Sequence, residues 1–503
     1  MASLYFTEEH QLFRQTVEDF MHKEINPNIE KWEENKRIPK DAWRKMGSQG
    51  YLGINIPEEL GGTGADFFFS VVFLECLASA GSGGFAAAVS VHEYMAIAHI
   101  LKAGSRELQQ KYIPKAVAGE WIGALAITEP GGGSDVSAIR TRAIDHGDHF
   151  IIHGSKTFIT NGVFSDFITT AVVTNPDQGI DGISLVVIDR NADGVQAHPL
   201  EKMGWHCSDT AELSFQEVRV PKENLIGEAG KGFYYIMETF QLERLVAAIT
   251  PVRGCELILE SAIRYMKERN TFGKPLTRYQ VLRHKMAQLS SEVASLKQFV
   301  YHTCYLYDQG EMAVKECSMA KMLATELSKK VADECLQIYG GYGYMKDFPI
   351  ERVYRDARVG TIVGGTTEIM LEIISKMVID EVAYESAYNQ KSSSAPSKTA
   401  KDIIYSLQDR FRQDKANGYA VNFHFDISGE DGGLFTVNID NGKCAVLEGI
   451  HGKEDCKIRV KDKNYVKLES GQLNPQMALM TGKVKVSNIS AMMEFSKMFE
   501  RLK

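Results

Sequence analysis

LAITEPGGGSD, residues 125–135, and GSKTFITNG, residues 154–162, are the two segments that decide the fold of this chain. In the first, three consecutive glycines follow an apolar strand, so they free backbone N–H groups and let the chain approach a flat ligand or a phosphate. Thr128 and Ser134 add hydroxyls, and Phe158 in the second segment offers an aromatic face. Taken singly, each segment is more typical of a strand and its turn, so the surrounding sequence has to decide.

The spacing of apolar residues and the composition of the sequence change several times around these segments. The first part carries helical spacing of apolar residues, with Thr7 as a cap of the first helix, and short β-rich segments follow. Long helical segments come next, and then ESAYNQKSSSAPSKTA, 385–400, whose composition is typical of a flexible linker. The sequence therefore predicts a helical domain at 1–120, a β domain at 121–230, a helical bundle at 231–385, a linker at 386–397 and a small α+β domain at 398–503.

Composition and charge exclude several classes of protein. The net charge of -8 and the pI near 6.0 argue against a nucleic-acid-binding protein. Eight cysteines without a CxxC pair indicate reduced thiols rather than a disulfide framework, and no metal site is predicted. The most apolar run, 84–101, is interrupted by His92, Glu93 and His99, and the N-terminus lacks the features of a secretory signal. We expect a soluble intracellular protein, whose compartment (mitochondrial, peroxisomal or cytoplasmic) stays open.

Four motifs together carry a resemblance to a known family. ITEPGGGSD and KTFITNG resemble the two flavin signatures of the acyl-CoA dehydrogenase family, and ERNTFGKPL, 268–276, and QIYGGYGYMKDFPIERVYRDAR, 337–358, resemble its C-terminal signatures. The resemblance implies a multidomain α+β protein with a helical domain, a middle β domain and a four-helix bundle. It also implies FAD as the cofactor, oxidation of an acyl-CoA thioester to trans-2-enoyl-CoA, an electron-transferring flavoprotein as acceptor, and a homotetramer or homodimer.

The family's functional residues match individual positions of this chain. The resemblance implies that Thr128, Phe158 and Thr160 lie against the isoalloxazine ring, with Phe158 in place of the tryptophan common there. Arg269 offers a fixed fork to phosphate, although by itself it is equally typical of a helix surface. The implied cofactor residues are Ile127, Thr128, Gly133, Ser134, Phe158, Ile159, Thr160, Gln337, Ile338, Gly340, Gly341, Thr366 and Glu368, with Arg269, Phe272 and Gln280 reaching a neighbouring subunit's FAD. The implied substrate residues are Ser134, Tyr234, Arg244 and Gly364.

The segment GTIVGGTTEIM, 360–370, lacks the acid that many family members use as catalytic base, because Gly364 stands at that position. In the isovaleryl-CoA and long-chain branches the base comes from an earlier helix, and the matching residue here is Glu243. Its neighbours three and four residues away on the helix are Thr239, Phe240, Val246 and Ala247. A carboxylate on such a mostly apolar face is desolvated, which raises its pKa towards that of a base. The alternative is a solvated pair of Glu243 and Arg244 on a helix surface.

The C-terminal segment resembles a second family, the sterol carrier protein type 2 domain, over 398–503. GGLFTVNIDNGKCAVLEG, 432–449, and the segment 455–488 carry the resemblance, which implies a five-stranded sheet and an apolar tunnel for fatty acyl or sterol-like lipids. YAVNFHFDI, 419–427, alternates apolar and polar residues and predicts a one-sided antiparallel sheet. Five methionines fit either the tunnel lining or plain core: Met477, Met480, Met492, Met493 and Met498.

Two other functions remain compatible with the sequence. One is a catalytically silent lipid-binding protein that keeps its flavin for structure. The other is an acyl-CoA oxidase, although the chain has a carrier domain where such oxidases usually have an extra helical domain. Reactivity of the reduced flavin with oxygen would separate an oxidase from the expected dehydrogenase.

Overall fold

A computed structural model describes residues 4–381, 399–416, 420–440, 442–470, 473, 475–480 and 482–500. The chain forms two compact units. The first contains the described residues up to Asp308 together with Glu316–Met370, and the second contains Gln309–Lys315 and the described residues from Leu371 onward. The predicted linker, 386–397, lies outside the described residues.

Helices build the N-terminal part of the first unit, as the apolar spacing predicts. Thr7 caps the first helix through a capping box with His10, which confirms the predicted cap. The helices are α1 (Glu8–Phe20), α2 (Ile29–Asn35), α3 (Lys40–Ser48), α4 (Phe67–Leu77), α5 (Gly83–Val91), α6 (Ile97–Ala103) and α7 (Arg106–Val117). Within the described residues, only Gly83–Ala103 is long and apolar enough to cross a membrane, and 72% of its most apolar window is buried inside the fold.

An eight-stranded sheet forms the middle of the first unit. Its strands are β1 (Gly123–Ala126), β2 (Arg142–Asp145), β3 (His149–Thr160), β4 (Phe167–Val173), β5 (Ile183–Asp189), β6 (Val195–Pro199), β7 (Thr210–Pro221) and β8 (Leu225–Ile226). The order is β6-β7-β3-β2-β4-β5-β8, and β1 pairs in parallel with β4. The pairing of β3 with β7 is irregular between Lys156 and Ile159, which lies inside the second flavin segment.

Long helices return after the sheet. They are α8 (Gly232–Glu268), α9 (Gln280–Asp308), α10 (Val314–Tyr339), α11 (Ile350–Ala357) and α12 (Thr367–Glu381), and α8 and α9 are joined through the hairpin of β9 (Asn270–Thr271) and β10 (Lys274–Pro275). The ERNTFGKPL motif therefore forms the turn between the two longest helices of the described chain. The start of α8 carries Glu243 and Arg244 into the interior.

The second unit contains a five-stranded sheet in the order β13-β12-β11-β14-β15. Its elements are α13 (Ala400–Tyr405), β11 (Ala420–Ser428), β12 (Gly433–Asp440), β13 (Lys443–Glu448), β14 (Cys456–Lys461), α14 (Asp462–Glu469), α15 (Pro475–Met480), β15 (Val484–Val486) and α16 (Ile489–Lys497). Phe423, Phe425 and Ile427 are buried, as the alternation predicts.

Two details of this sheet differ from the sequence-based prediction. The sheet is mixed rather than antiparallel, because β14 crosses to the far side of β11 and pairs with it in parallel. His424, on the supposedly solvated face, is also buried, because the loop after β13 covers it and Glu454 contacts its ring nitrogen at 3.1 Å. Alternation therefore gave the apolar face correctly but not the strand order or the cover on the other face.

Candidate functional site

The two flavin segments lie side by side in the β domain. The Thr157 N–H donates to the Thr128 carbonyl at 2.9 Å, which joins the second segment to the first. Glu129 and Gly132 exchange two backbone hydrogen bonds of 3.0 and 3.1 Å, which close the glycine-rich turn on itself. The turn thus has a fixed backbone, and its glycines leave an open surface, since a Cβ at Gly131 would meet nothing within 4 Å.

An ion pair between Lys156 and Glu129 stabilises this arrangement. The Lys156 ammonium is fully buried and donates to Glu129 Oε1 at 2.8 Å and to the Ile127 carbonyl at 3.0 Å. The Glu129 carboxylate also accepts the backbone N–H groups of Arg140 and Thr141. Burial lowers the pKa of Lys156 to about 8, against the opposing effect of Glu129. Neither residue was predicted from the sequence as part of the site, although each is a charged residue inside a flavin segment.

Phe158 stands out on the surface of the β domain. Its side chain is 70% exposed and its φ is +61°, in the left-handed region that a residue with a Cβ rarely adopts. Ile159 next to it is buried, and Thr160 is half-buried. An exposed aromatic ring on strained backbone beside an open glycine turn fits a flat ligand that covers the ring. These residues fit the isoalloxazine of FAD.

A second group of predicted cofactor residues meets at the α8–β9 junction. A pocket of about 460 Å³ is lined by Arg269, Ile338, Gly340 and Gly341, all of them predicted. The remaining lining residues are Tyr265, Thr271, Leu276, Tyr339, Tyr342 and Met345. The Arg269 guanidinium lies 5.6 Å from the centre of the Tyr342 ring. A cation, open glycine backbone and aromatic walls suit a phosphate with an attached ring.

Three predicted residues of the same group do not line this pocket. Gln337 and Gln280 are exposed. Phe272 is 98% exposed, and its φ of +48° adds backbone strain. An apolar side chain held outward at such strain is suited to contact with a partner surface.

Glu243 is buried in α8, with 7% of its surface exposed, so the alternative of a solvated surface pair is wrong. Its Oε1 has no hydrogen-bond partner among the residues that the structure describes. Burial raises the pKa of this carboxyl to about 8, and the charge of Arg244 opposes the shift. A buried carboxyl with an open acceptor and a raised pKa has the properties of a general base.

Arg244 contacts other residues rather than its sequence neighbour Glu243. Its Nη1 donates to Ser318 Oγ on α10 at 3.3 Å, and its guanidinium lies 5.5 Å from the centre of the Phe240 ring. Tyr234, also predicted to contact substrate, is buried, and its hydroxyl donates to Asp181 at 2.8 Å. Tyr234 therefore joins α8 to the segment before β5.

Gly364 and Gly365, in the segment where many family members carry the catalytic base, form a left-handed turn. Gly364 has a φ of +63° and Gly365 a φ of +90°. The φ of Gly365 favours glycine, and a Cβ there would also lie 2.5 Å from the methyl group of Met370. Thr366 ends the turn, and its hydroxyl accepts the Ile369 N–H at 3.3 Å at the start of α12. Glu368 is exposed in the first turn of that helix.

Comparisons with known proteins agree with this arrangement. Family profiles match the acyl-CoA dehydrogenase N-terminal domain over 7–120, the middle domain over 124–218, the C-terminal domain over 230–379, and the SCP-2 sterol transfer family over 402–500. The chain is 40% identical over 379 residues to the mitochondrial long-chain specific acyl-CoA dehydrogenase of Mus musculus, which covers 75% of this chain and 88% of the relative. The chain belongs to the acyl-CoA dehydrogenase family.

Solved structures of acyl-CoA dehydrogenases have the same fold. One from Geobacillus kaustophilus matches with a TM-score of 0.73 and 42% identity, over 75% of this chain and 100% of that one. One from Bacillus anthracis, complexed with FAD, matches with a TM-score of 0.71 and 30% identity, over 76% of this chain and 68% of that one. The predicted family and fold class are confirmed. This acyl-CoA dehydrogenase is an FAD-dependent oxidoreductase that acts on the CH–CH bond of acyl-CoA thioesters, which disfavours the silent flavoprotein and the oxidase.

Proposed function

We propose that Glu243 is the catalytic base of this acyl-CoA dehydrogenase and that its substrates are acyl-CoA thioesters with long acyl chains. The burial of Glu243, with Oε1 unpartnered among the described residues, is the observation that carries the assignment. The long chain is suggested by the relative from Mus musculus, a long-chain specific enzyme.

The chemistry requires a base of this kind. The α-C–H of a thioester is a weak acid, so its proton must pass to a positioned carboxylate while the β-hydrogen leaves with its electron pair. FAD supplies the acceptor for that hydride. Gly364 has no side chain to take the proton, and the raised pKa of Glu243 brings its basicity closer to that of the carbon acid.

The flavin segments and the α8–β9 pocket are the proposed FAD contacts. Phe158 and the glycine turn would cover the ring, Thr128 and Thr160 would hydrogen-bond its edge, and Ser134 would meet a phosphate. Arg269 and the glycines at 340 and 341 would hold the phosphate and adenine side of a neighbouring subunit's cofactor. The full exposure of Phe272 supports such a subunit contact and hence a homotetramer or homodimer.

Two partners complete the proposal. An electron-transferring flavoprotein would reoxidise the cofactor, and the SCP-2 domain would carry a fatty acyl or sterol-like lipid. An aromatic core in that domain, with Phe423, Phe425 and Phe495, is bordered by the half-buried Met492, while Met498 belongs to the core itself. The side chains of Met477, Met480 and Met493 lie outside the described residues.

The Glu243→Gln variant tests the base. It keeps the shape of the side chain and removes the proton acceptor, so FAD content should stay normal while anaerobic bleaching of the flavin band by acyl-CoA slows by roughly 10²–10⁴-fold. Glu260→Gln, an exposed position on the same helix, is the matched control and should reduce normally. Reduction of the Glu243→Gln variant at the wild-type rate would overturn the assignment. A panel of acyl-CoAs of increasing length, run on the wild type, tests the proposed chain length.

A further inference from the structure

A lysine that the proposed chemistry has not used lies beneath the Gly364–Gly365 turn. Lys321, on α10, is 0% exposed, and its ammonium donates to the Gly365 carbonyl at 2.6 Å. No carboxylate in the described parts of the chain lies within ion-pair distance of it. A buried cation without a charged partner is costly, so its retention calls for a use in the site.

The bond from Lys321 fixes one peptide of the turn. Both glycines have positive φ, and such a turn has few contacts of its own because it carries no side chains. The ammonium fixes the carbonyl of the peptide between Gly365 and Thr366, and therefore the direction of the Thr366 N–H in the same peptide plane. A charged donor also polarises the peptide it binds, which strengthens the N–H on its other side as a donor.

A second buried cation stands near the first. The charge of Arg244 contributes, after burial, to lowering the pKa of Lys321. Arg244 is bound to Ser318, one helical turn before Lys321 on α10. Two buried positive charges, one of them on the residue next to the proposed base, favour negative charge that develops on a substrate in the same region.

We propose that Lys321 is a positioning residue that holds the Gly364–Gly365 turn so that its backbone N–H groups bind the thioester carbonyl oxygen and stabilise the enolate formed on α-proton loss. The inference rests on the proposed function and adds to it that the turn faces the thioester, as the resemblance implies for Gly364. The proton goes to Glu243, the electron pair of the C–H bond moves onto the carbonyl oxygen, and Lys321 keeps its own protons.

Acetoacetyl-CoA separates this role from that of Glu243. Its enolate forms without an enzymatic base and gives a long-wavelength charge-transfer band with oxidised flavin, so the band measures enolate stabilisation alone. In the Lys321→Met variant, the band should form at a pH about one unit higher than in the wild type. Such a shift corresponds to about tenfold weaker stabilisation of the bound enolate. Its kcat for acyl-CoA should fall about tenfold, less than the roughly 10²–10³-fold typical of losing an oxyanion donor itself. Glu243→Gln should form the band normally and fail only in turnover.

Two further variants serve as an intermediate case and a control. Lys321→Gln keeps a neutral donor and should lie between the wild type and Lys321→Met, while Lys330→Met, exposed on the same helix, should match the wild type. A wild-type band and kcat in Lys321→Met would overturn the proposal. Loss of FAD or of folding in both Lys321 variants would do so as well, because it would assign the residue a purely structural role.

Discussion

Lys156 and Glu129 form a buried ion pair of 2.8 Å that joins two segments 27 positions apart in the sequence. One segment provides the glycine turn and the other the exposed aromatic ring. Because the Lys156 ammonium also binds the Ile127 carbonyl, a single side chain of the second segment holds the first segment at two points, on either side of Thr128. The geometry of that site thus depends on a residue that need not contact the cofactor.

We expect Lys156→Met to destabilise the protein by about 1–3 kcal/mol, because it leaves the half-buried Glu129 carboxylate without its charged partner. FAD content, measured from the ratio of flavin to protein absorbance, should fall in parallel. The double variant Lys156→Met with Glu129→Gln should recover part of the stability, since a neutral group replaces the unpaired charge. A single variant as stable and as yellow as the wild type would show that the pair does not hold the turn.

The raised pKa of Glu243 predicts the pH dependence of the reaction. A base works only when it is deprotonated, so kcat/KM, which reports the free enzyme, should rise with pH through about 8 and level off above it. Rapid-mixing measurements of flavin reduction at limiting acyl-CoA from pH 6 to 9.5 would show the profile. Glu260→Gln should reproduce it. A rate independent of pH across that range would contradict Glu243 as the base.

The proposed role of Arg269 links FAD binding to the assembly of the oligomer. If it binds the FAD of a neighbouring subunit, Arg269→Ala should lose FAD and shift to smaller species on size-exclusion chromatography, since the cofactor stabilises the oligomer by mass action. Arg264→Ala, at an exposed position on α8, the helix that ends just before Arg269, is the control. A wild-type monomer with a full complement of FAD would refute the shared site.

Removal of the carrier domain should change the range of substrates rather than the chemistry. A stop after Ser386 should leave a yellow protein that oxidises short acyl-CoAs at the wild-type rate. The apparent KM for long acyl-CoAs should rise, because a tethered lipid site raises the local concentration of apolar ligand, up to the millimolar scale for a short flexible linker. Comparing fluorescent fatty-acid binding by the full and truncated chains tests the carrier role. Equal lipid binding and equal changes at every chain length would exclude it.

Much of this molecule follows from local sequence. The glycine-rich and aromatic segments predict the β domain and its ligand-facing turns, because strand spacing and the residue composition of a turn are local properties. The resemblance to the acyl-CoA dehydrogenase family, with Gly364 in place of the usual acid, directs the search for a base to an earlier helix, and the apolar neighbours of Glu243 indicate burial, which the structure has. The burial of Glu243 depends on residues within a few turns of one another, where periodicity is informative, whereas its role as the base is implied by the resemblance.

The tertiary structure decided how segments that are distant in the sequence pair, bury and hydrogen-bond one another. Alternation could not show that β14 pairs in parallel with β11 or that a loop buries His424, since neither depends on the pattern within one strand. Nor could it show that Lys321, 44 positions before Gly365, binds the carbonyl of the glycine turn. The sequence by itself therefore determined the elements, the family and the candidate base. Only folding decided which charges are buried and with what partner, because desolvation and hydrogen bonding depend on atoms that long-range packing brings together.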